Sequence, residues 1–91
     1  MQIAHADVTS AANVYYGCIK KVSIKYAKSQ EPAESIAVAA QSSCIDEQDN
    51  YLKSLPQYGD LSASGIQQIA AKMQSNGRQL SIKTVMDERI K

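Results

Sequence analysis

The fold of this chain is decided by residues 18–44, which read CIKKVSIKYAKSQEPAESIAVAAQSSC. The segment has a cysteine at each end, and its strongest helix-breaking signal, Ser29-Gln30-Glu31-Pro32, lies in the middle. Proline suits the first turn of a helix and pushes the residue before it out of helical geometry. One helix should therefore end near Ser29 and another begin near Pro32.

Cys18 and Cys44 are equally far in sequence from Glu31, so in an antiparallel helical hairpin they would face each other. Helix axes about 8–10 Å apart, with Cα atoms about 2.3 Å from each axis, leave facing Cα atoms about 4–5.5 Å apart. A disulfide needs roughly 4.4–6.8 Å. We therefore predict a Cys18–Cys44 disulfide; the alternative is two unrelated buried thiols in a cytosolic protein.

Length and composition are those of one globular domain: 91 residues, 44% hydrophobic and 21% charged. The net charge of +1 gives no field that would attract nucleic acid, and no apolar stretch is long enough to predict a transmembrane segment. Ala4-His5-Ala6 fits the small-x-small pattern of signal-peptidase sites. We interpret residues 1–6 as the tail of a signal peptide or as residues added for expression, and residues 7–91 as a single helical domain of a periplasmic or secreted protein.

Hydrophobic spacing predicts the helices. The first should run from about Asp7 to Lys28 and the second from Pro32 to about Leu55, where Pro56 and Gly59 end it. The first helix has an apolar stripe at spacings of three and four: Ala11, Tyr15, Cys18, Ile19, Val22 and Tyr26.

The third helix should begin between Leu61 and Gly65, with Ser64 and Gln67 as a possible capping box. Asn76-Gly77 interrupts the pattern, which favours either a fourth short helix or a bent third one. The expected fold class is all-α: a three- to four-helix bundle whose antiparallel hairpin is stapled by one disulfide.

Lysines recur at helical spacing on the first helix, at Lys21, Lys25 and Lys28, with Lys20 beside them. They could contact anionic lipid, peptidoglycan acids or an acidic partner. The alternative is a solvated face near a helix C-terminus, neutralised by Glu31 and Glu34 across the turn. Among the tyrosines, Tyr15, Tyr26 and Tyr51 fit the core stripes, whereas Tyr16 and Tyr58 do not. The candidate interaction surface is Tyr16, Lys21, Lys25, Lys28 and Tyr58.

No pattern in the sequence indicates catalysis, a cofactor or a metal site. There is no Cys-x-x-Cys, and the single histidine is His5. The acidic cluster Asp46, Glu47 and Asp49 falls within a predicted helix and has no central glycine, so a solvated face is favoured over a calcium loop. We expect a protein that is not an enzyme.

The Glu31-Pro32-Ala33 turn between the cysteines, followed by Ile36-Ala37 and Ala39-Ala40, resembles small secreted bacterial proteins of unknown function. In these a helical hairpin is closed by one disulfide, and the likeness covers roughly the first half of the chain. It implies export and helical structure, with no activity attached. We therefore predict a non-enzymatic binding protein of the bacterial envelope that has a protein partner there and can form a homodimer. The alternative is an acid-stress periplasmic chaperone.

Overall fold

Four α-helices and one turn of 3-10 helix make up residues 8–91, the part of the chain that the computed structural model describes. The helices are α1 (Val8–Tyr26), α2 (Ala33–Ser43), α3 (Ile45–Lys53) and α4 (Ala63–Arg89), and the 3-10 turn Tyr58–Asp60 precedes α4. No strand occurs in this range, so the predicted all-α bundle is confirmed. The predicted signal-peptide tail, residues 1–6, and the helix start at Asp7 lie outside the described residues.

The hairpin of α1 and α2 forms around the predicted turn. Pro32 has an extended backbone, and its carbonyl accepts hydrogen bonds from the Ser35 and Ile36 amides, so it begins α2 as expected. Cys18 and Cys44 are joined by a disulfide with their Cα atoms 6.0 Å apart. The predicted staple is confirmed, and the two described helices that it links cannot separate without breaking a covalent bond.

The prediction of a single second helix from Pro32 to Leu55 is wrong, because Cys44 breaks it into α2 and α3. Cys44 leaves helical geometry, with φ −110° and ψ 24°, while its amide still donates to the carbonyls of Ala40 and Gln41. The chain therefore bends at one residue. α2 packs mainly against α4 and α3 mainly against α1. In one straight helix, the residues that contact α4 and those that contact α1 would have to share a single apolar side. Because the chain bends at Cys44, α2 and α3 can each turn an apolar side to a different neighbour.

The prediction of a separate fourth helix after Asn76-Gly77 is also wrong, since α4 runs unbroken through both residues. Its start agrees with the prediction, but the cap is Ser62, whose hydroxyl accepts from the Gly65 amide at 3.0 Å, and the predicted Ser64 capping box does not form. Gly77 has an ordinary helical φ and is buried. It serves close packing, because a Cβ there would lie 3.2 Å from Cζ of Tyr15 and nearer still to its hydroxyl.

The buried face of α1 differs from the predicted stripe. It runs through Tyr15, Ile19, Ser23 and Ala27, at a spacing of four residues. This row is buried because α4 packs against it: the Ser23 and Ser81 hydroxyls, both fully buried, lie 2.6 Å apart where the two helices meet. Tyr26, predicted for the core, is 43% exposed on the flank of the helix.

Candidate interaction surface

The outer face of α1 carries the predicted lysines. Lys21, Lys25 and Lys28 are all exposed. Lys21 and Lys25 lie on the side of α1 opposite the buried row through Ile19, whereas Lys28 follows in the turn, because α1 ends at Tyr26 and not at the predicted Lys28. Two large aliphatic side chains share this side: Val14 is 58% exposed and Ile24 is 47% exposed. We define the basic face of α1 as Val14, Lys21, Ile24 and Lys25 of the helix together with Lys28 in the turn that follows it.

The carboxylates expected to neutralise these lysines do not pair with them. Glu34 instead forms an ion pair with Arg78 on α4. The ion pairs within residues 8–91 join Lys53 to Asp49, Arg78 to Glu34, Lys83 to Asp87 and Lys91 to Glu88. None of them uses a lysine of α1. Lys25 has an aromatic neighbour, with its Nζ 5.6 Å from the ring centroid of Tyr26. The positive charge of the basic face is therefore available for an external anion.

Tyr16 lies on another side of α1, where it is half-buried in a cluster of three tyrosines. Its ring centroid is 4.9 Å from that of Tyr15 and 6.0 Å from that of Tyr51. Tyr16 was predicted to lie outside the core stripe of the first helix. It nevertheless packs in this cluster, because α3 places Tyr51 against it. Only packing between helices that are distant in sequence creates this contact.

Tyr15 supports the cluster of three tyrosines from the side of the core. Its side chain is fully buried, and the single proton of its hydroxyl is shared between the Met73 carbonyl at 3.3 Å and Oε1 of Gln48 at 3.4 Å. Burial, reinforced by the neighbouring Tyr16 phenol, raises the pKa of Tyr15 above its ordinary value of 10.0. Burial and the Tyr16 phenol likewise raise the pKa of Tyr51. Both are therefore neutral hydroxyls at physiological pH.

A groove of about 270 Å³ opens beside this cluster and was not foreseen from the sequence. We call it the tyrosine groove. Its lining comes from α1, α3, the loop after α3, and α4: Tyr16, Tyr51, Leu55, Gln57, Ile69, Lys72, Met73 and Asn76.

A second groove, of about 290 Å³, lies between the end of α1 and α2. Tyr26 stands on one side of it, and Ser35, Ala39 and Ser43 follow one another at helical spacing on the other. The small residues could have signalled an open space, but their sequence spacing is equally typical of a helix-packing face.

The five residues of the predicted interaction surface therefore do not form one patch. Lys21, Lys25 and Lys28 share the basic face, Tyr16 lines the tyrosine groove, and Tyr58 is half-buried in the 3-10 turn before α4. Sequence reasoning also missed Arg89. Its guanidinium donates to the carbonyls of Ala27, Ser29 and Glu31 and so closes the end of α1 and the turn after it.

The described residues contain neither a free thiol nor a cluster of metal ligands. Both cysteines are in the disulfide, so neither thiol is available as a ligand or nucleophile. Within residues 8–91 no group of three or more histidine, cysteine, aspartate or glutamate side chains is placed to hold a metal ion. In the same range no helix combines the length and the apolarity that crossing a membrane requires.

Comparison of the chain with models of protein families, with curated proteins and with solved structures finds no match. The likeness to secreted bacterial proteins with a stapled hairpin therefore stays a prediction.

Proposed function

We propose that this protein is a non-enzymatic binding protein of the bacterial envelope that engages the acidic surface of another protein through the basic face of α1. It would act by contact, in the manner of an inhibitor or immunity factor. One observation carries the proposal: the basic face combines three lysines that have no ion-pair partner among the described carboxylates with two exposed aliphatic side chains.

The disulfide supports an exported location. Disulfides persist in oxidising compartments such as the bacterial periplasm and are rare where thiol-reducing systems operate. Cys44 is fully buried, in the core cluster with Tyr15 and Ile19, which indicates a structural staple built into the fold. The staple also keeps α1 in place, so its outer face is presented to a partner with little loss of conformational entropy on binding.

A protein partner fits the surface better than a membrane or a nucleic acid. An interfacial membrane helix needs a wide apolar face, and Val14 and Ile24 are only two side chains among lysines. A nucleic acid presents negative charge over a long surface, whereas the whole chain has a net charge of only +1, and α3 adds exposed acids at Asp46 and Asp49. A local acidic patch on a protein matches a local basic face.

The test is affinity capture from the envelope fraction of the native organism, with the oxidised protein immobilised. The test variant is K21Q/K25Q/K28Q. The matched control is K53Q/K83Q/K91Q, which removes the same charge from three exposed lysines that do have carboxylate partners. We expect the wild type and the control to recover the same acidic protein, and the test variant to lose it.

Salt provides a second criterion. Raising the ionic strength from about 0.1 M to about 1 M shortens the Debye length from about 10 Å to about 3 Å, which should release a partner held by the lysines. Equal recovery by the test variant and the control, or recovery that salt does not change, would contradict the proposal.

A further inference from the structure

We propose that the tyrosine groove is a binding site for a small aromatic carboxylate, separate from the basic face of α1. The proposal rests on three features of the groove: its aromatic and apolar lining, its single cation, and its size. Each is a property of described residues that tertiary packing brings together.

The apolar part of the lining is continuous and firmly supported. Tyr16 and Tyr51 meet edge to face, with ring centroids 6.0 Å apart and an interplanar angle of 69°. The buried Tyr15 packs against both rings and fixes their positions. Aromatic rings favour edge-to-face and offset contacts, so a ligand ring can extend this cluster. The lining also includes Met73, whose thioether is a favourable neighbour for an aromatic ring.

The charge of the lining selects an anion. Lys72 is the cation among the described lining residues, and these include no carboxylate. Lys72 is exposed and takes part in none of the ion pairs found within residues 8–91. The side-chain amides of Gln57 and Asn76 add hydrogen-bond donors to the lining. A carboxylate attached to an aromatic group would place its ring on the tyrosines and its charge beside Lys72.

The volume limits the ligand to a small molecule. At about 270 Å³, the groove lies just below the range of roughly 300–1,000 Å³ that is usual for sites of drug-sized ligands. One ring with a short acidic chain matches this space, whereas a helix of a partner protein would need a longer surface.

The experiment is an NMR titration of the folded protein with 4-phenylbutyrate and, separately, with its uncharged counterpart 4-phenylbutanol. We expect saturable shifts of backbone amides in the segments that line the groove, 51–57 and 69–76. Because an exposed ion pair contributes modestly, the carboxylate should bind about two- to five-fold more tightly than the alcohol. Lys72→Gln should abolish that difference, and the control Lys83→Gln, about 16 Å further along α4, should preserve it.

A second pair of variants tests the groove itself. Asn76→Trp places a large side chain at an exposed position of the lining and should block both ligands, whereas Gln79→Trp, exposed on α4 outside the lining, should block neither. The amide spectra of all variants establish that each is folded. The proposal is overturned if no saturation is seen by about 10 mM ligand. Shifts that centre elsewhere, or a preference for the carboxylate that survives in Lys72→Gln, would also overturn it.

Discussion

At the scale of single residues, Gly77 shows how tertiary packing reverses the intrinsic preference of a helix interior for alanine over glycine. In a helix interior, alanine is favoured over glycine by about 1 kcal/mol. At Gly77 the added methyl group would meet the ring and hydroxyl of Tyr15, both held in a filled core. Gly17, in the middle of α1, is exposed and has nothing within 4 Å of a Cβ. The chain therefore offers a matched pair of helical glycines.

We expect Gly77→Ala to lower the free energy of unfolding by about 1–3 kcal/mol, the usual cost of overpacking. Gly17→Ala should raise it by about 0.5–1 kcal/mol. Urea denaturation followed by circular dichroism measures both. Because the hydroxyl of Tyr15 makes the closest approach, Tyr15→Phe combined with Gly77→Ala should cost less than the sum of the two single changes. Additive costs would show that the clash is not with this hydroxyl.

The buried tyrosines predict a loss of stability at alkaline pH. An unfolded tyrosine loses its proton near pH 10, whereas burial raises the pKa of Tyr15 and of Tyr51 in the folded protein. The stabilisation is complete below pH 10 and is lost as the pH rises through the raised pKa values, since ionisation then favours unfolding. Tyrosinate absorbance and circular dichroism should show the late-titrating phenols ionising together with loss of helix. Full ionisation with the helix content unchanged would contradict this.

At the scale of elements, the end of α1 depends on a residue from the far end of the chain. Arg89 donates to the carbonyls of Ala27, Ser29 and Glu31 at 2.6–2.9 Å, all in the turn that directly follows α1. Its positive charge also lies at the negative end of the α1 dipole. The helical hairpin is thus closed by the disulfide at one position and by Arg89 at its turn.

We expect Arg89→Ala to lower the free energy of unfolding by about 1–3 kcal/mol, because it removes three hydrogen bonds from a charged group, of which the one to the Ala27 carbonyl is partly buried. Arg78→Ala is the matched control. It removes an arginine from the same helix whose ion pair with Glu34 is half exposed, and should cost about 0–1 kcal/mol. Urea denaturation measures the free energy of unfolding of both variants. Amide hydrogen exchange should become faster at residues 27–31 only in Arg89→Ala. Similar costs for the two variants would remove the special role of Arg89.

At the scale of the whole molecule, no buried ion pair holds residues 8–91 together. Each ion pair in this range lies on the surface, and the described aspartates and glutamates are exposed or half-buried. Surface pairs contribute little to stability. The chain instead relies on two core clusters, on the Ser23–Ser81 contact and on the disulfide, none of which contains a carboxylate.

We therefore expect the oxidised protein to keep its helical circular dichroism down to about pH 2–3, below the ordinary pKa values of carboxyl groups. This outcome would argue against the acid-stress chaperone, which has to unfold or dissociate in acid in order to expose apolar surface. Loss of helix on acidification, together with suppression of client aggregation, would favour the chaperone over the binding protein. Homodimerisation, the other prediction made at this scale, is checked by sedimentation at several concentrations.

The features that were predicted correctly follow either from local backbone preferences or from the equal distance of the two cysteines from the turn. Pro32 begins a helix because its ring presets the backbone, and the disulfide follows from two cysteines equally distant from that turn. The spacing of Lys21 and Lys25 indicated an exposed side of α1, and both residues are exposed, whereas Lys28 lies in the turn after the helix. For the candidate sites, the sequence thus supplied the basic face but neither of the grooves.

Only the tertiary structure decided which side of each helix is buried and where helices bend. The close approach of α4, through Gly77 and Ser81, selects the row through Ser23 and leaves Tyr26 on the flank. The bend at Cys44 allows α3 to bring Tyr51 against Tyr16 and so forms the tyrosine groove. The physical reason is that the helical spacing of apolar residues within one segment shows only that the helix has an apolar side. Which small residues allow a neighbouring helix to approach depends on side chains far away in the sequence.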